Sequence, residues 1–205
     1  MLRHLMLRAR LLRARLLRAR LLRARHLKPR RNQIPSMLFA SALAGVIALP
    51  AAAAADMSIA NSTIKDSDGN VVGAVTLQQT PAGVLLRVTF SGLPPDTHGF
   101  HIHETGACEA PSFKSAGGHL MESGSSHGYM SEDGPHLGDM PNIHVPDSGA
   151  LELEALTGII DMDEQLFDDD GAALVIHQGA DDYRSQPSGA AGPRIACGVI
   201  ARLTD

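Results

Sequence analysis

The 205-residue sequence predicts an all-β domain, an antiparallel sandwich or barrel, and three observations carry that prediction. Short apolar runs recur, several with polar residues at alternate positions. Clusters of Gly, Pro, Asn, Asp and Ser separate them, and no segment shows a helical apolar period over a normal helix length. Several short strands between such turns build antiparallel layers or closed sheets rather than helix-covered parallel ones.

Taken in order, residues 57–64 and 71–78 read as strands around the turn Asp66-Ser67-Asp68-Gly69-Asn70. A third strand, Gly83 to Phe90, ends at the breaker Gly92-Leu93-Pro94-Pro95. Gly99-Phe100-His101-Ile102-His103-Glu104 follows, and because strand side chains alternate, His101 and His103 share a face. Residues 104–148 are rich in Gly, Pro and Ser and lack periodicity. A loop that long is usually functional or disordered, and its His119, His127, His136, Asp139 and His144 favour function. The strand pattern returns in Leu151 to Leu156 and, after Asp168-Asp169-Asp170-Gly171, in Ala172 to His177. A polar loop, 178–193, leads to the last strand, Arg194 to Ile200.

Charge divides the chain. Residues 1–55 hold twelve of the eighteen Lys/Arg and no acid, whereas 56–205 hold six bases against twenty-two acids, a formal −16. Residues 1–36 are a basic low-complexity extension and n-region, with Leu-Leu-Arg-Ala-Arg three times in tandem at 11–25. Five residues advance a helix by about 500°, so no single apolar face persists through the repeat. Residues 37–55 read as a secretory h-region and cleavage site: Met37 to Leu49 is an apolar run of thirteen, followed by Pro50 and five alanines. Cleavage is expected near residue 55, leaving 56–205 as one domain with no membrane segment. Its acidity excludes nucleic acid and anionic membrane as partners. An oxidising compartment favours pairing the only two cysteines, Cys108 and Cys197, 89 positions apart.

His119, His127, His136 and Asp139 offer three imidazoles and one carboxylate, a tetrahedral set that suits Zn(2+) with no open position. His101 and His103, joined by His177, form a nitrogen-rich set that favours Cu(2+). Metal ligation would also supply the order that a loop of this composition lacks.

These residues carry a resemblance. Gly99 to Glu104, His136-Leu137-Gly138-Asp139 and Gly192 to Ile200 resemble the copper/zinc superoxide dismutases of the exported bacterial type, and the likeness spans nearly all of 57–202. It implies an eight-stranded antiparallel Greek-key β-barrel of immunoglobulin-like sandwich architecture, with long metal-binding and electrostatic loops. One copper per subunit, alternating between Cu(2+) and Cu(+), would sit on His101, His103, His119 and His177. One Zn(2+) per subunit would sit on His119, His127, His136 and Asp139, with His119 the shared imidazolate. Two residues would be catalytic: Arg194, which attracts and orients the superoxide anion, and His119, which passes a proton to the reduced product. Asp181 would link ligands of the two metals, and the disulfide would join Cys108 and Cys197. His98 and His144 match no ligand position and read as exposed polar histidines. The implied activity is dismutation of superoxide to dioxygen and hydrogen peroxide, an antioxidant defence in the periplasm; the resemblance leaves monomer and homodimer open.

Two other functional classes fit these residues less well. A metal-sequestering relative without turnover would be expected to lack a copper ligand or the arginine, and this chain lacks neither. A zinc hydrolase needs an open zinc position beside a general base. One departure stands out: residues 178–193 contain no lysine, and only Arg184 joins Arg194 in basic character there. Steering of an anion by a domain of −16 is therefore expected to be weak, or supplied from elsewhere, with Lys114 a candidate.

Overall fold

The structure is a computed structural model that describes residues 59–203. The extension 1–36, the apolar segment 37–55 and the cleavage region lie outside the described residues.

Among the described residues the strands are β1 (Ile59–Asp66), β2 (Val71–Thr80), β3 (Gly83–Ser91), β4 (Asp96–His98), β5 (Phe100–His103), β6 (Ile143–Val145), β7 (Ala150–Leu156), β8 (Ala173–His177), β9 (Arg194–Val199) and β10 (Ala201–Arg202). The large sheet runs β5-β8-β9-β1-β2-β3-β7, with β10 beside β1, and β4 pairs with β6. Every pairing is antiparallel. Only Gly99 separates β4 from β5, and β6 leads into β7 through 146–149. The small pair therefore connects the two edges of the curled large sheet. With β4 and β5 as one strand bent at Gly99, and β10 as the tail of β9, the count is eight. The pairs β1/β9, β3/β7 and β5/β8 join strands distant in sequence, as a Greek key does.

Alternation builds the core. Ala60 and Ile64 on β1, Val75 and Leu77 on β2, and Val84, Leu86, Val88 and Phe90 on β3 are buried in one cluster. Phe90 meets Phe100 of β5 edge to face, with centroids 6.0 Å apart. β8 is buried on both faces: Leu174 and Ile176 join the barrel core, while Ala173 and Val175 join a second cluster with Phe113, Ala116 and Cys197. That outer cluster seats the long loop on the barrel wall.

Three features depart from the sequence reading. The short strands β4 and β6 were not expected, and neither was α1 (Met162–Leu166), a five-residue helix. Asp161 caps α1 by accepting hydrogen bonds from the Asp163 and Glu164 amides. His98, expected to be exposed, is 1% exposed. Its Nδ1 lies 2.9 Å from the His177 carbonyl and 3.0 Å from that of Gln178, and its Nε2 lies 2.9 Å from the Pro94 carbonyl. The bend at Gly99 tucks β4 under the end of β8, where three backbone oxygens face the ring and accept from whichever nitrogen carries a proton. His144 is exposed as expected.

Candidate metal centre

The site grows from the free edge of β5. Loop backbone takes that edge: Ile102 N donates to Gly138 O (2.9 Å), Leu120 N to Ile102 O (2.9 Å) and Gly138 N to Leu120 O (2.8 Å). This register puts His119 opposite His103 and Asp139 opposite His101. On the other side β5 pairs with β8, which ends at His177 opposite Arg194. Four segments remote in sequence are thus brought together by ladder hydrogen bonds.

Two ligand sets result: His101, His103, His119 and His177, and His119, His127, His136 and Asp139. In each set one ligand atom per residue lies within 4.8 Å of every other. All seven residues are buried. In the first set His101 Nδ1, His103 Nε2, His119 Nε2 and His177 Nε2 are buried without a hydrogen-bond partner. Buried polar atoms are nearly always paired, so four orphaned nitrogens of one cluster mark a place for a cation. In the second set, Nδ1 of His119, His127 and His136 lie 2.8, 2.9 and 3.5 Å from Asp139 Oδ1. Asp139 Oδ2 is engaged elsewhere, accepting from the Gly128 amide at 2.8 Å and the His136 amide at 3.0 Å. His119 alone gives one nitrogen to each set.

Most of the remaining ring nitrogens are held. His103 Nδ1 and His177 Nδ1 each lie 3.1 Å from a carbonyl, of Gly117 and Gly192 respectively. Asp181 spans the sets, with Oδ2 2.8 Å from His101 Nε2 and Oδ1 3.0 Å from His127 Nε2. Such contacts fix ring orientation and tautomer. Burial lowers the pKa values of His101 to about 4, His103 to about 2 and His177 to about 3, so these rings are neutral donors at pH 7. Burial opposes the charge on His127 as well, but Asp139 and Asp181 outweigh it and raise its pKa to about 9. Burial likewise disfavours charge on Asp139 and Asp181, yet their histidine contacts hold both well below the usual carboxylate range. Neutral imidazoles at His101, His103 and His177 and an ionised carboxylate at Asp139 are what borderline-soft divalent ions take as ligands.

Arg194 sits beside the first set with its guanidinium half-buried. Nη1 donates to Phe113 O and Nη2 to Gly117 O, both at 2.6 Å, which leaves further N–H donors for an anion. Lys114, between those two anchors in sequence, opens a short 3-10 turn. Cys108 and Cys197 form a disulfide with Cα atoms 5.7 Å apart, tying the loop that carries Phe113 and Gly117 to β9, which carries Arg194. Sequence reasoning missed Gly117, whose carbonyl serves both Arg194 and His103, and the loop contacts of Asn142 and Gln186. A backbone oxygen leaves no signature in composition, and a lone amide side chain reads as surface.

A family model described as copper/zinc superoxide dismutase matches residues 71–200. Superoxide dismutase [Cu-Zn] 2 of Aquifex aeolicus is 44% identical over 163 residues, 77% of this chain and 95% of that protein. Superoxide dismutase [Cu-Zn] of Caulobacter vibrioides is 40% identical over 147 residues, 69% of this chain and 84% of that protein. Among solved structures, a SOD-like protein from Bacillus subtilis superposes with a TM-score of 0.65 at 32% identity, covering 68% of this chain and 96% of that one. The Cu/Zn superoxide dismutase from Brucella abortus superposes with a TM-score of 0.60 at 27% identity, covering 70% and 99%.

Proposed function

This chain belongs to the copper/zinc superoxide dismutase family, and on that premise we propose which residues carry its reaction. The protein is an oxidoreductase that converts two superoxide anions and two protons to dioxygen and hydrogen peroxide, with copper and zinc as cofactors. When bound, copper supplies one-electron exchange and zinc supplies a fixed positive charge.

His101, His103, His119 and His177 would hold copper, through nitrogens that are buried and unpaired; His119, His127, His136 and Asp139 would hold zinc. The observation that carries this assignment is His119, the one imidazole with an orphaned nitrogen in the first set and its other nitrogen against Asp139. Nε2 of His119 is the atom at which a proton is taken up and handed to the reduced product, while Nδ1 keeps the ring in place. Arg194, fixed by two carbonyls, turns its free N–H groups toward the incoming anion, which a planar and permanently charged fork orients better than a point charge. Asp181 keeps His101 and His127 in register.

Export to the periplasm, with the signal removed near residue 55, belongs to the same reading. The apolar run at 37–49 and the Cys108–Cys197 bridge support it. Metal content and superoxide dismutation of the purified exported protein test the whole. About one copper and one zinc per chain is expected, with activity lost when copper is removed. A zinc-only protein without activity overturns the assignment.

A further inference from the structure

Two loops without regular secondary structure meet across the His127–Asp181 contact. The seam between them is made by two carboxamides that point in opposite directions. Asn142, three residues after Asp139, reaches across to the peptide of Asp181: Asp181 N donates to Asn142 Oδ1 and Asn142 Nδ2 donates to Asp181 O, both at 2.8 Å. Gln186 reaches back to the peptide of His127: His127 N donates to Gln186 Oε1 and Gln186 Nε2 donates to His127 O, both at 2.9 Å. Each carboxamide thus acts as a missing strand partner, gripping both polar groups of one residue. The two residues gripped are those whose side chains meet, Asp181 Oδ1 and His127 Nε2, at 3.0 Å.

Tyr183 completes the seam. Its hydroxyl accepts from Asn142 N at 2.7 Å, its amide donates to Asp181 Oδ1 at 2.6 Å, and its carbonyl accepts from Met130 N at 3.0 Å. Asp181 itself lies on an irregular loop, so neither a helix nor a strand holds it. A carboxylate that must face His101 at 2.8 Å and His127 at 3.0 Å needs its peptide fixed from outside.

We propose that Asn142 and Gln186 are positioning residues, a reciprocal carboxamide clamp that sets Asp181 between the two ligand sets and so couples zinc retention to the geometry of His101 on the copper side. This rests on the assignment of copper and zinc to the two sets. It goes beyond that assignment by naming what aims the carboxylate between them. Asn142 is the stronger arm, since it grips Asp181 directly and is half-buried, whereas Gln186 is exposed.

A double-mutant cycle on the metal-loaded protein tests it. Removing residues that orient ligands typically costs 10–100-fold in metal affinity. Asn142→Ala is accordingly expected to weaken zinc binding about 10-fold or more, measured by competition with a chromogenic chelator, with Gln186→Ala in the same direction and smaller. The copper electron paramagnetic resonance spectrum should move in Asn142→Ala toward that of Asp181→Asn, because in both His101 Nε2 no longer faces a correctly aimed carboxylate. If the clamp acts through Asp181, adding Asn142→Ala to Asp181→Asn changes zinc affinity by less than about twofold, which is how a shared pathway appears in such a cycle. Asn142→Asp, an isostere that turns the donor into an oxygen facing Asp181 O, provides the same test if the alanine variant does not fold. Unchanged zinc affinity in Asn142→Ala or Asn142→Asp, or a full additional loss on top of Asp181→Asn, overturns the clamp. Failure of the metal assignment would look different, because the unmodified protein would then take up no copper and zinc.

Discussion

Arg194 and His103 are joined through a single backbone oxygen. Arg194 Nη2 donates to the Gly117 carbonyl at 2.6 Å, and His103 Nδ1 lies 3.1 Å from the same atom. The residue proposed to orient the anion and a residue proposed to hold copper therefore take their positions from one peptide of the long loop. The disulfide at Cys108 and the outer cluster around Phe113 keep that peptide against the barrel.

Because the guanidinium is a fork across two carbonyls, its geometry should matter as well as its charge. Arg194→Ala should lower kcat/KM for superoxide by a factor between about 10 and 1000, the range over which local charge raises encounter rates. Arg194→Lys should fall between that variant and the parent, since one ammonium cannot span both the Phe113 and Gly117 carbonyls in the same way. Copper content should stay unchanged in both, because His103 keeps its own contact with Gly117. Pulse radiolysis with metal analysis checks all three statements, and loss of copper in Arg194→Ala would reassign the residue to metal retention.

The charge balance gives a second expectation. A domain at −16 repels superoxide over a long range, and the loop at 178–193 offers no lysine to reverse the field locally. Raising ionic strength from 0.01 to 0.15 M shortens the screening length from about 30 to about 8 Å, which removes the long-range repulsion first. The second-order rate should therefore stay level or rise over that interval. A steep fall would mean that Arg194 and Lys114 already make an effective funnel.

Much of this was legible in the sequence, and the reasons are physical. The strands from Val71, Gly83, Ala150 and Arg194 show as apolar runs cut by turn residues, and the structure places them close to those bounds. The two clusters were legible because His119, His127, His136 and Asp139 fall within one Gly-rich loop and His101 and His103 share a strand face, with His177 joining them from the end of a distant strand. Strands β4 and β6 were not, because each is three residues long and is held by its partner rather than by a pattern of its own. His98 was misread for the same kind of reason: its burial depends on the bend at Gly99 and on carbonyls of Pro94, His177 and Gln178 that only the tertiary fold assembles. The Asn142 and Gln186 contacts are backbone recognition across two irregular loops, which no periodicity encodes.

The low pKa values of His101, His103 and His177 predict how the metal-free protein responds to acid. Their folded pKa values, about 4, about 2 and about 3, lie below the unfolded value of 6.5. Below pH 6.5 the unfolded chain takes up protons that these buried rings refuse, so stability is lost as pH falls. The loss amounts to at most about 1.4 kcal/mol per ring for each pH unit until its folded pKa is reached. His127 behaves oppositely: with its pKa raised to about 9, its contribution is complete below 6.5 and is lost as pH rises through 9. The urea midpoint of chelator-treated protein should therefore drop clearly between pH 6.5 and 5. An unchanged midpoint across that interval would show that the three rings are not neutral and buried without metal.

Gly189 tests the seam by a substitution that replaces none of the ligand residues. It has φ +66°, and a Cβ there would lie 1.8 Å from Asp181 Oδ1 and 2.7 Å from His127 Nε2. Alanine must therefore push apart the carboxylate and ring that meet between the two sets. Gly69 in the β1–β2 turn is the control: its φ is +87°, but a Cβ there would meet nothing within 4 Å. Both substitutions carry the backbone cost of a left-handed residue, roughly 1–2 kcal/mol. Only Gly189→Ala adds displacement of Asp181. Gly69→Ala should lower the melting temperature and leave zinc affinity alone, while Gly189→Ala should also release zinc about 10-fold or more readily. Equal zinc retention in the two variants would mean that the loop around Gly189 can shift without moving Asp181, and that the contact between Asp181 and His127 is not what holds zinc in place.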